Sequence, residues 1–222
     1  MKLLSLVSLV LATSARAQAQ NLALSSFTDA GANLTFKLAI PETTSAPFPL
    51  LMSIIAPIGV SWAGFATGGC MLRSPLIVAW PNGTGVAVST RWATYVHLNL
   101  TSLTCLCQFL ANTAPSQFHP PAPYLNTTIT VFPTSTVNAT HWKADFVCSA
   151  GCSDWWGGSI DPNNNNATFG YGASSRPIAQ PGSVTGSIPF HNVVIDHFDL
   201  DLTKAKRGKG DWDALIKGVG AL

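Results

Sequence analysis

Apolar and polar residues alternate along several segments of this chain, a pattern typical of strands with one buried face. In residues 34–40, Leu34, Phe36, Leu38 and Ile40 are separated by threonine, lysine and alanine. Residues 198–202 alternate in the same way, with aspartates between the apolar positions. A period of two residues predicts a half-buried β-strand in both places.

Other apolar runs are continuous, as in strands that are covered on both faces. Residues 50–55 and 76–80 are of this kind. The remaining strands are predicted at residues 86–100, 127–132, 141–148 and 167–172. One short helix is predicted over residues 212–219, with Asp211 as its N-cap.

The abundance of turn residues sets the fold class. The chain has 222 residues, with 18 glycines and 15 prolines, which favour many turns over long helices. Short strands separated by such turns predict an all-β protein, an antiparallel β-sandwich. We expect one domain over residues 20–205, followed by a basic tail over residues 206–222.

The first 19 residues resemble a secretory signal peptide. Lys2 supplies the positive charge, residues 3–12 are mostly apolar, and small residues at Ala15, Ala17 and Ala19 offer cleavage sites. A retained membrane anchor is the alternative, but the apolar run is about half the roughly 20 residues that a span requires. Pro, Arg, Ser or Gly interrupts every later apolar run, so no membrane span is expected elsewhere. We predict a secreted, extracellular protein.

Acceptor motifs for N-glycosylation agree with secretion. The pattern Asn-x-Ser/Thr is unusually dense for one domain, and a glycosylated asparagine must lie at the surface. The acceptors are Asn33, Asn82, Asn99, Asn126, Asn138 and Asn166.

An oxidising compartment also permits disulfides, and the chain has five cysteines. Cys148 and Cys152 are the expected pair because they bound a short Ser-Ala-Gly turn. Cys105 and Cys107 are two residues apart, where a mutual bond would be strained, and either is a candidate partner for Cys70.

Charge excludes one class of function. Only 10% of the residues are charged, and without Lys2 and Arg16 of the leader 10 basic residues balance 10 acidic ones. A neutral protein with so few cations is not a nucleic-acid binder. Basic residues are concentrated after residue 203, where the tail is a solvated end, a docking segment for an acidic partner or the start of a linker.

Several kinds of catalytic site are missing from the sequence. Glu42 is the single glutamate, so no glutamate pair exists for glycoside hydrolysis. No Gly-x-Ser-x-Gly motif occurs, and the glycines at 170 and 172 do not continue into a dinucleotide-binding motif. A zinc site formed by Cys105, Cys107 and either His97 or His119 is possible in principle, although it lacks a paired Cys-x-x-Cys spacing.

One set of motifs extends over nearly the whole chain after the leader, and the order of its members is specific. The members are Trp62-Ala-Gly-Phe-Ala-Thr-Gly-Gly-Cys-Met71, Pro75-Leu-Ile-Val-Ala-Trp80-Pro-Asn-Gly83, Ser89-Thr-Arg-Trp-Ala-Thr94, Asn138-Ala-Thr-His-Trp-Lys143, Cys148 with Cys152-Ser-Asp-Trp155, and His191 upstream of Leu200-Asp-Leu-Thr-Lys-Ala205. This ordered set resembles the cytochrome domain of fungal cellobiose dehydrogenase.

The resemblance implies an immunoglobulin-like or DOMON-type sandwich with haem b in a pocket at one end. The family's axial methionine matches Met71 and its histidine matches His191, with His197 as the alternative. A gapless alignment places Asn192 at the ligand position, so His191 requires a slip of one residue, and the spacing of the cysteine pair is longer by one. The family's arginine and tyrosine near the haem propionates match Arg91 and Tyr95.

A methionine and a histidine on opposite sides of the iron leave no open position for oxygen or substrate, so such a site carries single electrons. The family's cytochrome domain takes electrons from a flavin dehydrogenase fused to it, and this chain ends soon after the cytochrome motifs. The resemblance therefore implies a monomeric electron-transfer protein with a separate donor. The implied acceptors are a copper polysaccharide monooxygenase, ferric iron or quinones.

The alternative is a haem-free β-sandwich that binds a carbohydrate or an extracellular protein. In that case Trp155 and Trp156 could stack on sugar rings. An absorbance spectrum separates the two hypotheses, because only the first requires a Soret band.

Overall fold

A computed structural model of the chain describes residues 24–93 and 120–220. The predicted signal peptide (residues 1–19) and the candidate residues Tyr95, Asn99, Cys105 and Cys107 therefore lie outside the described residues. In chain order the elements are β1 (Ser25–Asp29), β2 (Leu34–Pro41), β3 (Leu50–Pro57), β4 (Trp62–Ala66), β5 (Pro75–Asn82), β6 (Gly85–Trp92), β7 (Ala122–Pro123), β8 (Thr128–Val131), β9 (Thr136–Val137), β10 (His141–Ala150), β11 (Asp154–Trp155), β12 (Gly158–Ser159), β13 (Ala167–Ser174), β14 (Val194–Leu200), α1 (Leu202–Ala205), β15 (Lys206–Arg207) and α2 (Lys209–Gly220).

Two sheets face each other across one core. The first sheet has the order β1-β2-β3-β10-β8, with β9 beside β10 and β15 parallel to β2. The second sheet has the order β14-β13-β4-β5-β6-β7, and its strand pairs are antiparallel. The strands β11 and β12 form a separate hairpin. The predicted all-β antiparallel sandwich is confirmed.

The burial patterns explain the strand sequences. Alternate residues of β2 are buried along its first half, as its alternating sequence predicts. By contrast, every residue of β4 is buried, because Ala63 and Phe65 face the core while Trp62 is covered from the other side. Stacked aromatic rings fill the core at the β13–β14 side, where Phe198 lies 5.4 Å from both Phe36 and Phe169.

The C-terminal helix α2 packs on the outer face of the first sheet. Its Leu215 is buried in a small cluster with Ala39, Leu51 and Phe132. The predicted helix over residues 212–219 lies within α2, and the segment expected to be a tail is thus partly packed against the sandwich. No helix in the described part of the chain is both long and apolar enough to cross a membrane.

Candidate functional site

Small residues line the middle of the outer face of the second sheet. Gly64 of β4 lies opposite Gly172 of β13, and Ala66 lies opposite Gly170. Directly paired residues in an antiparallel sheet point to the same face. Their alternate neighbours face the core, so these four positions form a shallow floor on the outer side.

Two of these glycines are required by close backbone contacts. A Cβ atom at Gly64 would lie 2.4 Å from the carbonyl oxygen of Ile77, and one at Gly170 would lie 2.7 Å from that of Gly69. The second contact brings the loop that carries Met71 down onto β13. A Cβ at Gly172 would meet His191 at an ordinary 3.6 Å.

Residues 178–193, here called the cover segment, run across this outer face without regular secondary structure. Side chains of the sheet hold its backbone carbonyls. The hydrogen bonds run from Trp62 Nε1 to Pro189 O (3.0 Å), from Trp80 Nε1 to Pro181 O (2.8 Å), and from Ser89 Oγ (2.6 Å) and Arg91 Nη2 (2.9 Å) to Val184 O.

A pocket, partly open to solvent, lies between the floor and the cover segment, and the empty space within it, including the part open to solvent, is about 660 Å³. Its lining is almost wholly apolar, and it includes Leu76, Val78, Ile188 and Phe190. The sequence-based expectation placed a pocket at one end of the sandwich, whereas this cavity lies against the outer face of the second sheet.

Met71 and His191 both line the pocket. The Nε2 atom of His191 is buried and has no hydrogen-bond partner among the described residues. Burial lowers the pKa of His191, and a hydrogen bond between its ring and its own backbone only partly opposes this shift. The imidazole therefore stays neutral near pH 7, with a nitrogen lone pair that can bind a metal.

His197 lines the same pocket from β14, where it pairs with Gly170. Its Nε2 atom is also buried without a hydrogen-bond partner in the described part of the chain. Its Nδ1 atom lies 4.0 Å from Asp196 Oδ1. The structure thus brings both candidate histidines to the pocket that contains Met71.

Asn192, which a gapless alignment would place at the ligand position, is turned elsewhere. Its side-chain oxygen accepts hydrogen bonds from Ser174 Oγ (2.8 Å) and from the backbone nitrogen of Ser175 (2.9 Å). Its side-chain nitrogen donates to Ser175 Oγ. Both ends of the side-chain amide are therefore hydrogen-bonded at the end of β13, and Asn192 is absent from the described pocket lining.

Arg91 occupies β6, opposite Leu76 of the pocket lining. Only 1% of its surface is exposed, and its Nε atom has no hydrogen-bond partner among the described residues. Burial lowers the pKa of this guanidinium. Among the described residues, Arg91 supports the cover segment without lining the pocket. Tyr95, its expected companion, lies outside the described residues.

None of the described cysteines or acceptor asparagines is part of the pocket lining. Cys148 and Cys152 form a disulfide with a sequence separation of 4 residues, and Cys70 is also disulfide-bonded. The described acceptor asparagines are all exposed, as glycosylation would require: Asn33, Asn82, Asn126, Asn138 and Asn166. In the part of the chain with described coordinates, no three His, Cys, Asp or Glu side chains are grouped to hold a metal ion.

Sequence reasoning missed the residues that support the site. Trp62 and Trp80 resemble ordinary core aromatics in the sequence, yet each indole donates a hydrogen bond to the cover segment. Ser174 carries no sequence signal at all. The one available hint was the run of glycines and alanines in strands that are otherwise apolar, since small residues within a strand often mark a close approach of another group.

Comparisons with known proteins place this geometry in context. The profile of the cytochrome domain of cellobiose dehydrogenase matches residues 17–209. A pyrroloquinoline quinone-dependent pyranose dehydrogenase from Coprinopsis cinerea is 23% identical over 158 residues. That match covers 70% of this chain but 19% of the dehydrogenase, so the chain spans about a fifth of that relative's length.

Two solved structures share the fold. The cytochrome b domain of pyranose dehydrogenase from Coprinopsis cinerea has a TM-score of 0.71 at 20% identity, covering 89% of this chain and 90% of that one. The cytochrome domain of Myriococcum thermophilum cellobiose dehydrogenase has a TM-score of 0.66 at 20% identity, covering 91% of this chain and 99% of that one.

Proposed function

Because the chain belongs to the family of cellobiose dehydrogenase cytochrome domains, we propose that it is an extracellular b-type cytochrome that carries single electrons. Met71 and His191 are the proposed axial ligands of the haem iron. The observation that carries this proposal is the buried Nε2 atom of His191, which is unpartnered among the described residues and belongs to a side chain that lines the pocket.

The described residues fit a haem group. The pocket has a flat floor of small residues and an apolar lining, which suit the face of a porphyrin. It also contains the thioether of Met71 and the imidazoles of His191 and His197, and both kinds of group are established axial ligands of haem iron. His197 shares these properties, but it belongs to the regular strand β14, whereas His191 lies on the cover segment across from the floor.

When bound there, haem supplies a one-electron couple of iron, and ligation by methionine and histidine raises its potential relative to thiolate ligation. Met71 and His191 would together hold the haem iron through a thioether and an imidazole, as suits a carrier of single electrons rather than a site that binds a substrate. The cover segment and the apolar lining would limit the access of water, which lowers the local dielectric and is a further influence on the potential. Holding the iron and shielding it from water do not require the chain to move a proton.

The proposed partners follow from the family. The donor is a flavin dehydrogenase or another extracellular dehydrogenase, and the acceptor is a copper polysaccharide monooxygenase, ferric iron or a quinone. We propose a monomer that meets each protein partner through a transient contact of less than about 1,200 Å², as in other electron-transfer encounters.

A second candidate function is supported by one exposed side chain. Trp156, at the turn of the β11–β12 hairpin, is 85% exposed. Its neighbour Trp155 is packed inward and lies 3.0 Å from a Cβ built on Gly68. A rigidly held hairpin with an exposed indole is suited to stack on a sugar, and a haem-free carbohydrate-binding or protein-binding module would use it.

An absorbance spectrum of the purified full chain, oxidised and then reduced, tests the proposed function. We expect a Soret band and a low-spin reduced spectrum. A preparation without a Soret band after incubation with haemin would overturn the haem proposal and leave the binding module.

Single substitutions test the ligands. Met71→Ala should give high-spin iron or weaker haem retention, and His191→Ala should abolish the low-spin spectrum. His141→Ala is the matched control, since His141 hydrogen-bonds Asn33 away from the pocket lining. If His197→Ala, and not His191→Ala, abolishes the low-spin spectrum, His197 is the ligand.

A further inference from the structure

The backbone on both sides of His191 is attached to one place on the second sheet. Trp62 of β4 and Ser174 of β13 lie directly opposite each other in the antiparallel pair. Because paired residues share a face, both side chains point toward the cover segment. We propose that Trp62 and Ser174 form a clamp that positions the imidazole of His191 in the pocket. What the imidazole binds there rests on the proposed function.

Trp62 holds the chain just before the histidine. Its indole nitrogen donates a hydrogen bond of 3.0 Å to the carbonyl oxygen of Pro189, two residues before His191. The indole is buried and packs with Val78 and Ile188. Because the indole is packed and rigid, its hydrogen bond restricts the position of the backbone at Pro189, just before His191.

Ser174 holds the residues immediately before and after the histidine. This serine is 0% exposed, and its hydroxyl lies 2.9 Å from Phe190 O and 2.8 Å from Asn192 Oδ1. The hydroxyl has one proton, so it donates to one of these oxygens at a time. Both oxygens remain within hydrogen-bonding distance, so Phe190 and Asn192, the residues on either side of His191, are held next to Ser174 of β13.

Backbone hydrogen bonds complete the attachment. The backbone nitrogens of Asn192 and Val193 both donate to the carbonyl oxygen of Ala173, each at 3.1 Å. With Asn192 held on β13, the residue above Gly172 is His191, whose Cβ atom lies 3.6 Å from a Cβ built on that glycine. The clamp therefore selects His191 over Asn192 as the residue presented to the pocket.

The clamp supplies an orientation that the imidazole does not obtain from the pocket. Ligating histidines are commonly oriented by a hydrogen bond from the ring nitrogen that does not bind the metal to a carboxylate, carbonyl or water. Among the described residues, the His191 ring forms a hydrogen bond with its own backbone, and its Nε2 atom has no hydrogen-bond partner. Apart from the contact with the Phe190 ring, whose centroid lies 4.0 Å from that of the imidazole, the position of the ring therefore depends on the backbone, which Trp62 and Ser174 hold together with the carbonyl of Ala173.

The cover segment provides matched controls for both members of the clamp. Trp80 donates the same kind of indole hydrogen bond, 2.8 Å long, to Pro181, far from the histidine. Ser89 donates a hydroxyl hydrogen bond of 2.6 Å to Val184. Trp62→Phe and Trp80→Phe remove equivalent hydrogen bonds, and so do Ser174→Ala and Ser89→Ala, but only the first variant of each pair changes a bond next to His191. Because Trp62 also lines the pocket, whereas neither serine does, the comparison of Ser174→Ala with Ser89→Ala is the decisive one for haem release.

The first measurement uses the haem-loaded full chain. We expect Trp62→Phe and Ser174→Ala each to accelerate haem release by about tenfold, the factor that corresponds to the loss of roughly one hydrogen bond. They should also change the g-values of the low-spin ferric EPR signal, which report the orientation of the imidazole plane. Trp80→Phe and Ser89→Ala should retain the wild-type release rate and g-values.

The second measurement uses hydrogen exchange in the haem-free chain. Trp62→Phe and Ser174→Ala should accelerate exchange at the amides of Asn192 and Val193 relative to the two control variants. If the four variants behave alike in haem release, g-values and exchange, the clamp is disproved. If Trp62→Phe does not fold, Ser174→Ala alone decides.

The two measurements also separate this proposal from the proposed function. A wild-type chain that takes up no haem would overturn the cytochrome proposal, while exchange at the two amides would still decide whether the clamp holds the His191 loop. A wild-type chain with methionine–histidine ligation and no difference among the variants would overturn the clamp alone.

Discussion

Gly64 shows how one missing side chain determines the shape of the pocket floor. A Cβ at this position would lie 2.4 Å from the carbonyl oxygen of Ile77 and 3.0 Å from the Cα atom of Val78, both on the adjacent strand β5. These are backbone atoms within a sheet, so they cannot move without disturbing the pairing of β4 with β5.

Gly64→Ala should therefore lower the free energy of unfolding by about 1–3 kcal/mol, the usual cost of overpacking a well-packed region. Urea denaturation measures this change. Gly59→Ala is the control, because a Cβ at Gly59 has no described atom within 4 Å, and we expect a change within about 0.5 kcal/mol there. Equal stabilities for the two variants would contradict the close approach of β4 and β5.

At the scale of single residues, sequence motifs identified the candidates but not their surroundings. Met71 and His191 were found by resemblance, and both line one pocket. The choice between His191 and Asn192 depended on where the Asn192 amide finds hydrogen bonds, and its partners Ser174 and Ser175 are 17 or more residues away in the chain. The position of Arg91 beneath the cover segment likewise depended on a distant carbonyl, that of Val184.

At the scale of elements, alternation predicted the strands that have one polar face. It identified β2 and β10 closely, but it did not identify β4, whose sequence Trp-Ala-Gly-Phe-Ala has no polar positions. The reason is physical, since β4 is covered by the core on one side and by the cover segment on the other. The last strand, expected to begin near residue 198, begins at Val194 because its first residues pair with β13.

The helix α2 illustrates the difference between predicting an element and placing it. Its apolar residues predict a helix, but the predicted N-cap is wrong, because the helix begins at Lys209 and Asp211 lies in its first turn. Its contact with Leu51 of β3 and with Phe132, which follows β8, has no local signature. The pocket lies on the outer face of the other sheet. The two features are therefore on opposite sides of the sandwich.

Leu215→Ala should lower the free energy of unfolding by about 2 kcal/mol, as expected for truncating a buried leucine at the edge of the structure. Thermal unfolding followed by circular dichroism measures the change. Lys217→Ala, on the exposed side of the same helix, should have little effect. The visible spectrum of haem-loaded Leu215→Ala should equal that of the wild type, and an altered spectrum would contradict the separation of α2 from the pocket.

At the scale of the whole molecule, one hydrogen bond joins the two sheets. The Tyr171 hydroxyl of β13 donates to Asp29 Oδ2 of β1 at 2.9 Å. Burial, and then this hydrogen bond, raise the pKa of Tyr171 well above its ordinary value of 10.0. An unfolded tyrosine ionises near pH 10, whereas the folded one keeps its proton, so rising pH favours unfolding.

The stability that Tyr171 contributes should therefore be complete below pH 10 and decline as the pH rises above it. Urea titrations at pH 8 and pH 11 measure this decline. Tyr171→Phe should lose less stability than the wild type between the two pH values, because it has no phenol to ionise. A wild-type chain and a Tyr171→Phe variant with equal losses would contradict this assignment.

The proposed secretion predicts N-linked glycans on the surface of the molecule. The described acceptor asparagines are exposed, including Asn82, the last residue of β5 before the turn into β6. Chain secreted from a eukaryotic host should lose mass on N-glycosidase treatment. Thr84→Ala should remove the glycan at Asn82, and Thr84→Ser should retain it. A wild-type chain whose mass does not change would contradict glycosylation.

The sequence by itself determined the class of fold and the family, because alternation, turn residues and ordered motifs are properties of neighbouring positions along the chain. Tertiary structure alone decided which residues meet at the pocket. Gly64, Gly172, Trp62 and the cover segment come together through strand pairing and through hydrogen bonds between distant residues. Such contacts depend on which distant strands pair and on the return path of the chain across the sheet, and neither can be read from the pattern of neighbouring residues.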